Sequence, residues 1–198
     1  SHFILAMLSI GFGLVAVHRS RPEPVGRSTD IGVTPLVSGL FVALTVLVAA
    51  ALVTGTVVTG AGPHAGDETA RRYGFDISTV AELHSITVWI ALAIFLVLVV
   101  VLRRTPDLAA RFGGKLSTWM FIAVLQGGVG YVQYFSDVPA ILAGVHVAGA
   151  SALWVATVWL ILAGLAVWDW RRNQRRVVGG RARGAEQPQE AEELARAN

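Results

Sequence analysis

Long apolar runs separated by short polar segments dominate the pattern along the chain. Each run is rich in Ala, Val, Leu and Ile, and each reaches or approaches the length of about 20 helical residues that crosses a bilayer. The runs cover residues 2–18, 35–59, 79–102, 116–135 and 139–168. Ten-residue alternating segments, which a membrane β-barrel needs, do not occur in the sequence. The pattern predicts an all-α, polytopic integral membrane protein with five transmembrane helices.

The composition agrees with this class, and the basic residues predict an orientation. Hydrophobic residues make up 54% of the chain and charged residues 15%, which is unusual for a soluble domain. Basic residues concentrate after the first run, between the third and fourth, and after the fifth. By the positive-inside rule the N-terminus lies outside and the C-terminus is cytoplasmic. Because the basic residues cluster at helix ends, no nucleic-acid partner is expected.

The two ends of the chain carry their own signals. Ser1 is followed at once by an apolar run, with no basic n-region or cleavage site, so the run is not predicted to be a signal peptide. We expect further protein upstream of it. The last part of residues 169–198 is polar and lacks apolar periodicity, which predicts a disordered cytoplasmic tail. With no cysteine, disulfides, thiolate metal sites and cysteine catalysis are excluded from this chain.

Ionisable residues inside a membrane are costly and are therefore candidates for function. His18, beside Arg19, is expected to be an interfacial residue at a helix end. His84 follows Thr79 and Glu82, which predict an N-cap and a capping box, so it lies about 7 Å below its helix end.

His146 follows Ser136 or Asp137 as a predicted cap and Pro139 in the first turn, and lies about 10 Å down its helix. His2 stands at the outer end of the first run. Three histidines on three helices are thus expected at similar depth.

The histidine pair leaves two interpretations open. A buried histidine is often a satisfied core residue, but two at matched depth in a bundle are the usual axial ligands of a b-type haem. Zinc would want a third or fourth ligand, and Glu82 is assigned to the cap. Met7 and Met120 lie away from this level. Haem ligation by His84 and His146 and plain core packing both remain possible at this point.

Small and basic residues near the pair also have two explanations. Glycines occur high in the fourth helix and beside His146, where they allow close helix packing or leave room for a flat macrocycle; they are Gly127, Gly128, Gly130, Gly144 and Gly149. Arg71 and Arg72 precede the His84 helix on the outer side. They are candidates to pair with haem propionates, or they are simply solvated.

Four motifs carry a resemblance to a known family. They are "GTVVTGAGPHAGD", "ELH" at the head of the next helix, "QGGVGYVQYF" and "VPAILAGVHVAGA". In this order and spacing they resemble haem A synthase, and the similarity runs from His2 to about Trp168.

The resemblance implies the following fold and activity. The family has eight transmembrane helices in two four-helix halves and oxidises the C8 methyl group of haem O to the formyl group of haem A, which cytochrome oxidases use. His84 and His146 match the ligands of haem b, and His2 matches one ligand of the substrate haem. The other substrate ligand and the catalytic glutamate have no counterpart here. Residues 1–19 would then be the last helix of the N-terminal half, and residues 35–168 the C-terminal four-helix haem b domain.

The resemblance also implies a setting and partners. It places the chain in the plasma membrane of a bacterium, with haem O as substrate, the missing N-terminal half as partner, and haem O synthase or a second copy as further candidates. His64 and Asp67 belong to the family's outer loop and are expected to contact propionates or close the pocket. Some relatives carry a cysteine pair in outer loops, and this loop has none.

Two rival functions remain. A b-type electron-transfer membrane protein would share the histidine pair but would not need His2 or the "GPHAGD" motif. A transporter that relays protons through histidines usually has broken helices near the midplane, whereas the unusual residues here lie near the outer edge.

Overall fold

The described part of the chain folds into five helices that follow the apolar runs. The computed structural model describes residues 2–21, 34–63 and 72–164, and in these ranges all regular structure is helical, without strands. The helices are α1 (His2–Ser20), α2 (Pro35–Ala61), α3 (Ile77–Arg103), α4 (Pro106–Phe135) and α5 (Ala140–Gly164). All of them except α4 are long and apolar enough to cross a membrane. For the described residues, the prediction of an all-helical architecture with several helices long and apolar enough to cross a membrane is confirmed.

Side-chain contacts show that neighbouring helices from α2 to α5 run antiparallel. On α3 and α4, the Phe95 ring stacks on the Trp119 ring with centroids 4.1 Å apart. Trp89, one and a half turns earlier on α3, donates through Nε1 to the hydroxyl of Tyr131, three turns later on α4. Residue numbers therefore fall along α3 as they rise along α4.

The same rule orders the other helix pairs and closes the bundle. Trp119 Nε1 donates to Thr157 Oγ1 at 2.8 Å, and Gln126 Nε2 donates to the carbonyl of His146. These contacts make α4 and α5 antiparallel. At the end of α5, a Cβ at Gly164 would touch the Phe41 ring of α2. The four helices α2 to α5 therefore form a closed up-and-down bundle.

One end of this bundle is a dense apolar core, which we call the packed half. It is centred on four aromatic side chains that are nearly or fully inaccessible: Phe41, Phe95, Phe112 and Trp119. Phe41 and Phe112 meet across the bundle at a centroid distance of 5.3 Å. Because lipid is as apolar as these rings, close packing holds this end together more than exclusion of water does.

The other end contains His84 and His146, and we call it the histidine half. It comprises the C-terminal parts of α2 and α4 and the N-terminal parts of α3 and α5. The connection between α2 and α3 lies at this end, where Tyr73 N donates to the Gly60 carbonyl at 3.0 Å. The Tyr73 ring occupies the space that a side chain at position 60 would need, so glycine permits this close approach.

Helix α1 lies outside the four-helix bundle and is attached to α5. Trp154 Nε1 on α5 donates to the Met7 carbonyl at 2.8 Å. The same indole lies 3.6 Å from the position of a Cβ at Gly11, which is ordinary van der Waals contact. Met7 is the one residue of α1 whose side chain is buried.

Two predicted helix starts are wrong by a few residues. Asp76, not Thr79, is the N-cap of α3, and its carboxylate accepts from the Thr79 N–H. A carboxylate is a strong acceptor at the positive end of a helix dipole, which explains the choice. The predicted capping box with Glu82 is therefore not formed, and Glu82 is exposed.

At the other corrected start, α5 begins at Ala140 rather than after a cap at Ser136 or Asp137. The Pro139 carbonyl accepts from Ala143 N, so proline stands just before the helix instead of inside its first turn. Asp137 and Val138 have positive φ values of 57° and 53°. These two residues reverse the chain direction between α4 and α5. A positive φ costs energy for a β-branched residue such as Val138.

Candidate functional site

The two histidines predicted to work together face each other across the histidine half. His84 is on α3 and His146 is on α5, the diagonal helices of the bundle. Their ring centroids are 6.5 Å apart and the ring planes are inclined by 78°. Both side chains are half-buried. The structure therefore brings together the pair that matched helix depth suggested.

The His84 ring is held by consecutive residues of α2. Its Nδ1 lies 3.0 Å from the Thr54 hydroxyl. A Cβ at Gly55 would lie 3.1 Å from Cε1 of the ring, which is shorter than a normal van der Waals contact. Glycine at this position therefore leaves the space that the imidazole occupies. The Thr54 hydroxyl is also 3.1 Å from the carbonyl oxygens of Ala50 and Ala51 in its own helix.

The His146 ring packs in the same way against a glycine of α4. A Cβ at Gly130 would lie 3.0 Å from its Cε1 atom. The backbone carbonyl of His146 accepts from Gln126 Nε2 at 2.6 Å, so a polar side chain ties the two helices together at this level. The same amide fills the space where a side chain at Gly149 would stand. Unlike His84, His146 has a buried Nδ1 with no hydrogen-bond partner among the described residues.

The spacing of the rings suits one metal ion between two imidazoles. Histidine nitrogens bind metals at about 2 Å, so one ion between two opposed rings separates their centroids by roughly 6 Å. In the described ranges no three His, Cys, Asp or Glu residues come together as a metal-binding group. Within the described residues the pair offers two imidazole nitrogens, which is the donor type of a bis-histidine haem.

The remaining predicted site residues are more dispersed. His2 is the first residue of α1 and is exposed, so it is not buried with the pair. Arg72 is exposed and its Nη2 donates to the Pro63 carbonyl at 3.4 Å. His64, Asp67 and Arg71 lie outside the described residues. His18 is near the other end of α1 and half-buried.

The glycines near the pair divide into two groups. Gly130 and Gly149 have their Cβ space taken by His146 and Gln126. A Cβ at Gly127, Gly128 or Gly144 would meet nothing within 4 Å. Close helix approach therefore explains the first group, whereas the second group borders open space.

Sequence reasoning missed the residues that support the pair. Thr54 and Gln126 are polar residues within apolar helices, and that alone was a signal that each needs a partner. Gly55 directly follows Thr54 in the "GTVVTGAGPHAGD" region, but its relation to His84 depends on how α2 and α3 face each other. Comparisons with known proteins identify no family: no protein-family model, no curated protein and no solved structure matches the chain.

Proposed function

We propose that this chain holds a b-type haem between His84 and His146 and is the haem b part of a haem A synthase. The observation that carries the proposal is the pair of imidazoles on diagonal helices at a centroid distance of 6.5 Å. When bound, a bis-histidine haem supplies a one-electron redox centre inside the membrane. The assignment to a haem A synthase rests in addition on the resemblance of the four quoted motifs and of His2.

The residues of the chain have separate tasks in this proposal. His84 and His146 would hold the haem iron through ring nitrogens, and Gly55 and Gly130 leave space for their rings. Gln126 fixes α5 against α4 at the level of His146. The predicted roles of His64 and Arg72 toward propionates, and of His2 toward a substrate haem, belong to the proposal through the family resemblance alone.

We further propose that α4 is the fifth membrane span. It has 30 residues, about 45 Å of helix. It begins three residues after α3 ends and finishes five residues before α5 begins. In the bundle α3 and α5 run in the same direction, and both are long and apolar enough to cross, so α4 is the segment that would return the chain across the membrane between them. Gln126, Gln133 and several glycines lower the apolar character of α4, and Gln126 has its partner inside the bundle.

Reporter fusions test this crossing and the orientation together. Three spans between Gly66 and Gln174 place these positions on opposite sides, with Gly66 outside and Gln174 in the cytoplasm. Two spans would place both on one side. Reporters that agree with each other would therefore contradict the crossing of α4, and reversed signals would contradict the orientation.

Optical spectra of the purified chain test the haem proposal. We expect a low-spin haem b spectrum and, after extraction, haem b without haem A. The chain has both ligands of the haem b site but lacks the second substrate ligand and the glutamate that the resemblance implies for catalysis. No haem after expression with ample haem supply would contradict the site. Haem A formed by this chain alone would show that the substrate site is assigned to the wrong half.

A b-type electron-transfer protein without synthase activity is the second candidate, because the same histidine pair supports it. Coexpression with the N-terminal half of a haem A synthase in cells that make haem O distinguishes the two. The synthase proposal predicts haem A in membranes and its loss with His2→Ala. Haem b with no haem A in this experiment favours the electron-transfer protein.

A further inference from the structure

We propose that Thr54 is a positioning residue that makes His84 the anchored ligand, and that His146, which has no such hydroxyl beside it among the described residues, is the exchangeable one. The two histidines would therefore differ in how readily each is replaced by an added ligand. The haem part of this inference rests on the proposed function, but the state of the His84 ring does not.

The hydrogen bonds around Thr54 assign the proton on His84. A threonine hydroxyl has one proton, and here it is within 3.1 Å of the carbonyl oxygens of Ala50 and Ala51, which only accept. When the hydroxyl donates to its own helix, its oxygen must accept from His84, so Nδ1 of His84 carries the proton. The opposite arrangement gives up the bonds to the carbonyls and puts the proton on Nε2.

This assignment prepares His84 as a ligand before any metal arrives. With the proton on Nδ1, the neutral ring has its lone pair on Nε2. A hydrogen bond on the other ring nitrogen is the usual way in which a protein fixes the orientation and tautomer of a ligating histidine. Thr54 therefore selects Nε2 of His84 as the ligating atom.

The α4–α5 pair repeats this arrangement without the hydroxyl. Gly55 packs against the His84 ring and Gly130 against the His146 ring. A Cβ at these positions would lie 3.1 and 3.0 Å from the Cε1 atom of the respective ring. Thr54 directly precedes the first glycine, and Val129 directly precedes the second. Both helices run toward the same end of the bundle, so Val129 occupies the position that corresponds to Thr54. The unpartnered Nδ1 of His146 is the consequence.

The tautomer is tested on the haem-free full-length chain in detergent, with ¹⁵N-labelled histidine and ring-nitrogen NMR. His84→Ala and His146→Ala identify the signals. We expect His84 to be an Nδ1–H tautomer in the parent, a mixture in Thr54→Val, and an Nδ1–H tautomer again in Thr54→Ser. Val129→Thr should move His146 toward Nδ1–H. An unchanged His84 signal in Thr54→Val would overturn the inference.

The second arm measures exchange on the haem-loaded chain with cyanide as the probe. If His146 is the exchangeable ligand, Val129→Thr should slow cyanide binding about tenfold, the scale of support from groups that orient a ligand. Val132→Thr, at an exposed position one turn further along α4, is the matched control and should leave the rate unchanged. Equal rates in the parent and Val129→Thr would overturn the assignment of His146. Absence of low-spin haem in the parent would instead overturn the proposed function, and the NMR result alone would then decide the role of Thr54.

Discussion

The two halves of the bundle use the same four helices in opposite ways. In the packed half, large rings fill the space between helices, and Phe95, Phe112 and Trp119 are almost inaccessible. In the histidine half, α2, α4 and α5 carry glycines, and the central side chains are two half-buried imidazoles. The packed half thus supplies rigidity, and the histidine half presents the two imidazoles of the proposed site. One end of the bundle can carry a site because the other end holds the helices together.

The largest expected effect of a substitution is in the histidine half. If the proposed site is right, His84→Ala or His146→Ala should abolish the low-spin haem spectrum, because each substitution removes one of its two strong-field ligands. The absorption spectrum of the purified variants measures this. His18→Ala is the control and should keep the parental spectrum. Parental spectra in both ligand variants would show that the pair is a core contact and nothing more.

A comparable substitution in the packed half should act on stability instead. Phe95→Ala removes a fully buried ring that stacks on Trp119, and the expected loss in unfolding free energy is about 3 kcal/mol or more. Unfolding from mild detergent, followed by circular dichroism, measures the loss. Phe135→Ala, whose ring is 78% exposed, should have little effect. Similar losses in the two variants would contradict the division into halves.

Substitution of the two glycines that pack against the histidine rings should have a smaller effect, on haem affinity. Gly55→Ala or Gly130→Ala brings a methyl group within about 3 Å of a ligand ring and should lower haem affinity about tenfold while changing stability little. Haem titration of the haem-free chain measures the affinity. Gly128→Ala meets nothing within 4 Å and should bind haem as the parent does. A loss of the same size in all three variants would point to helix packing in general.

The smallest effect is expected at the start of α3, outside the membrane. Hydrogen bonds from the Ser78 hydroxyl and from Thr79 lower the pKa of Asp76. A lowered folded pKa stabilises the protein above the unfolded pKa of about 3.9, and this contribution is lost as the pH falls through the folded pKa. Asp76→Ala should therefore lower the unfolding temperature slightly at pH 6, with no difference left at the lowest pH. A difference that persists in strong acid would mean that the cap does not depend on the charge.

The positions of the helices were largely predictable from hydropathy, but their ends were not. The start of α4 at Pro106 precedes the apolar run at 116 by ten residues, because Asp107, Arg111 and Lys115 interrupt the run without interrupting the helix. Proline at the first helical position was the available signal. For α3 the predicted cap was Thr79, whereas Asp76 caps the helix, because its carboxylate accepts from the Thr79 N–H.

The histidine pair was predictable, whereas its supports were not. Equal depth below two helix ends is a property of each helix alone, so it could be counted from the sequence. Packing between helices decides which face of α2 contacts His84. The contacts of Thr54 and Gly55 with His84 could therefore be identified only from the folded bundle. The same holds for Gln126, whose acceptor is a backbone carbonyl twenty residues away.

The hydrogen bond between Gln126 and His146 also has a consequence for the order of assembly. During synthesis α4 emerges before α5, so with α4 as the proposed fifth span the Gln126 amide enters the membrane before its acceptor, the His146 carbonyl, has been made. An unpaired amide is costly in lipid, and α4 is the helix that lacks strong apolar character. The link of Arg104 and Thr105 between α3 and α4 allows the two helices to enter as a hairpin, with Trp119 stacked on Phe95. The arrival of α5 then satisfies Gln126 and carries His146 to its place in the same step, so insertion of the last helix completes both the bundle and the site.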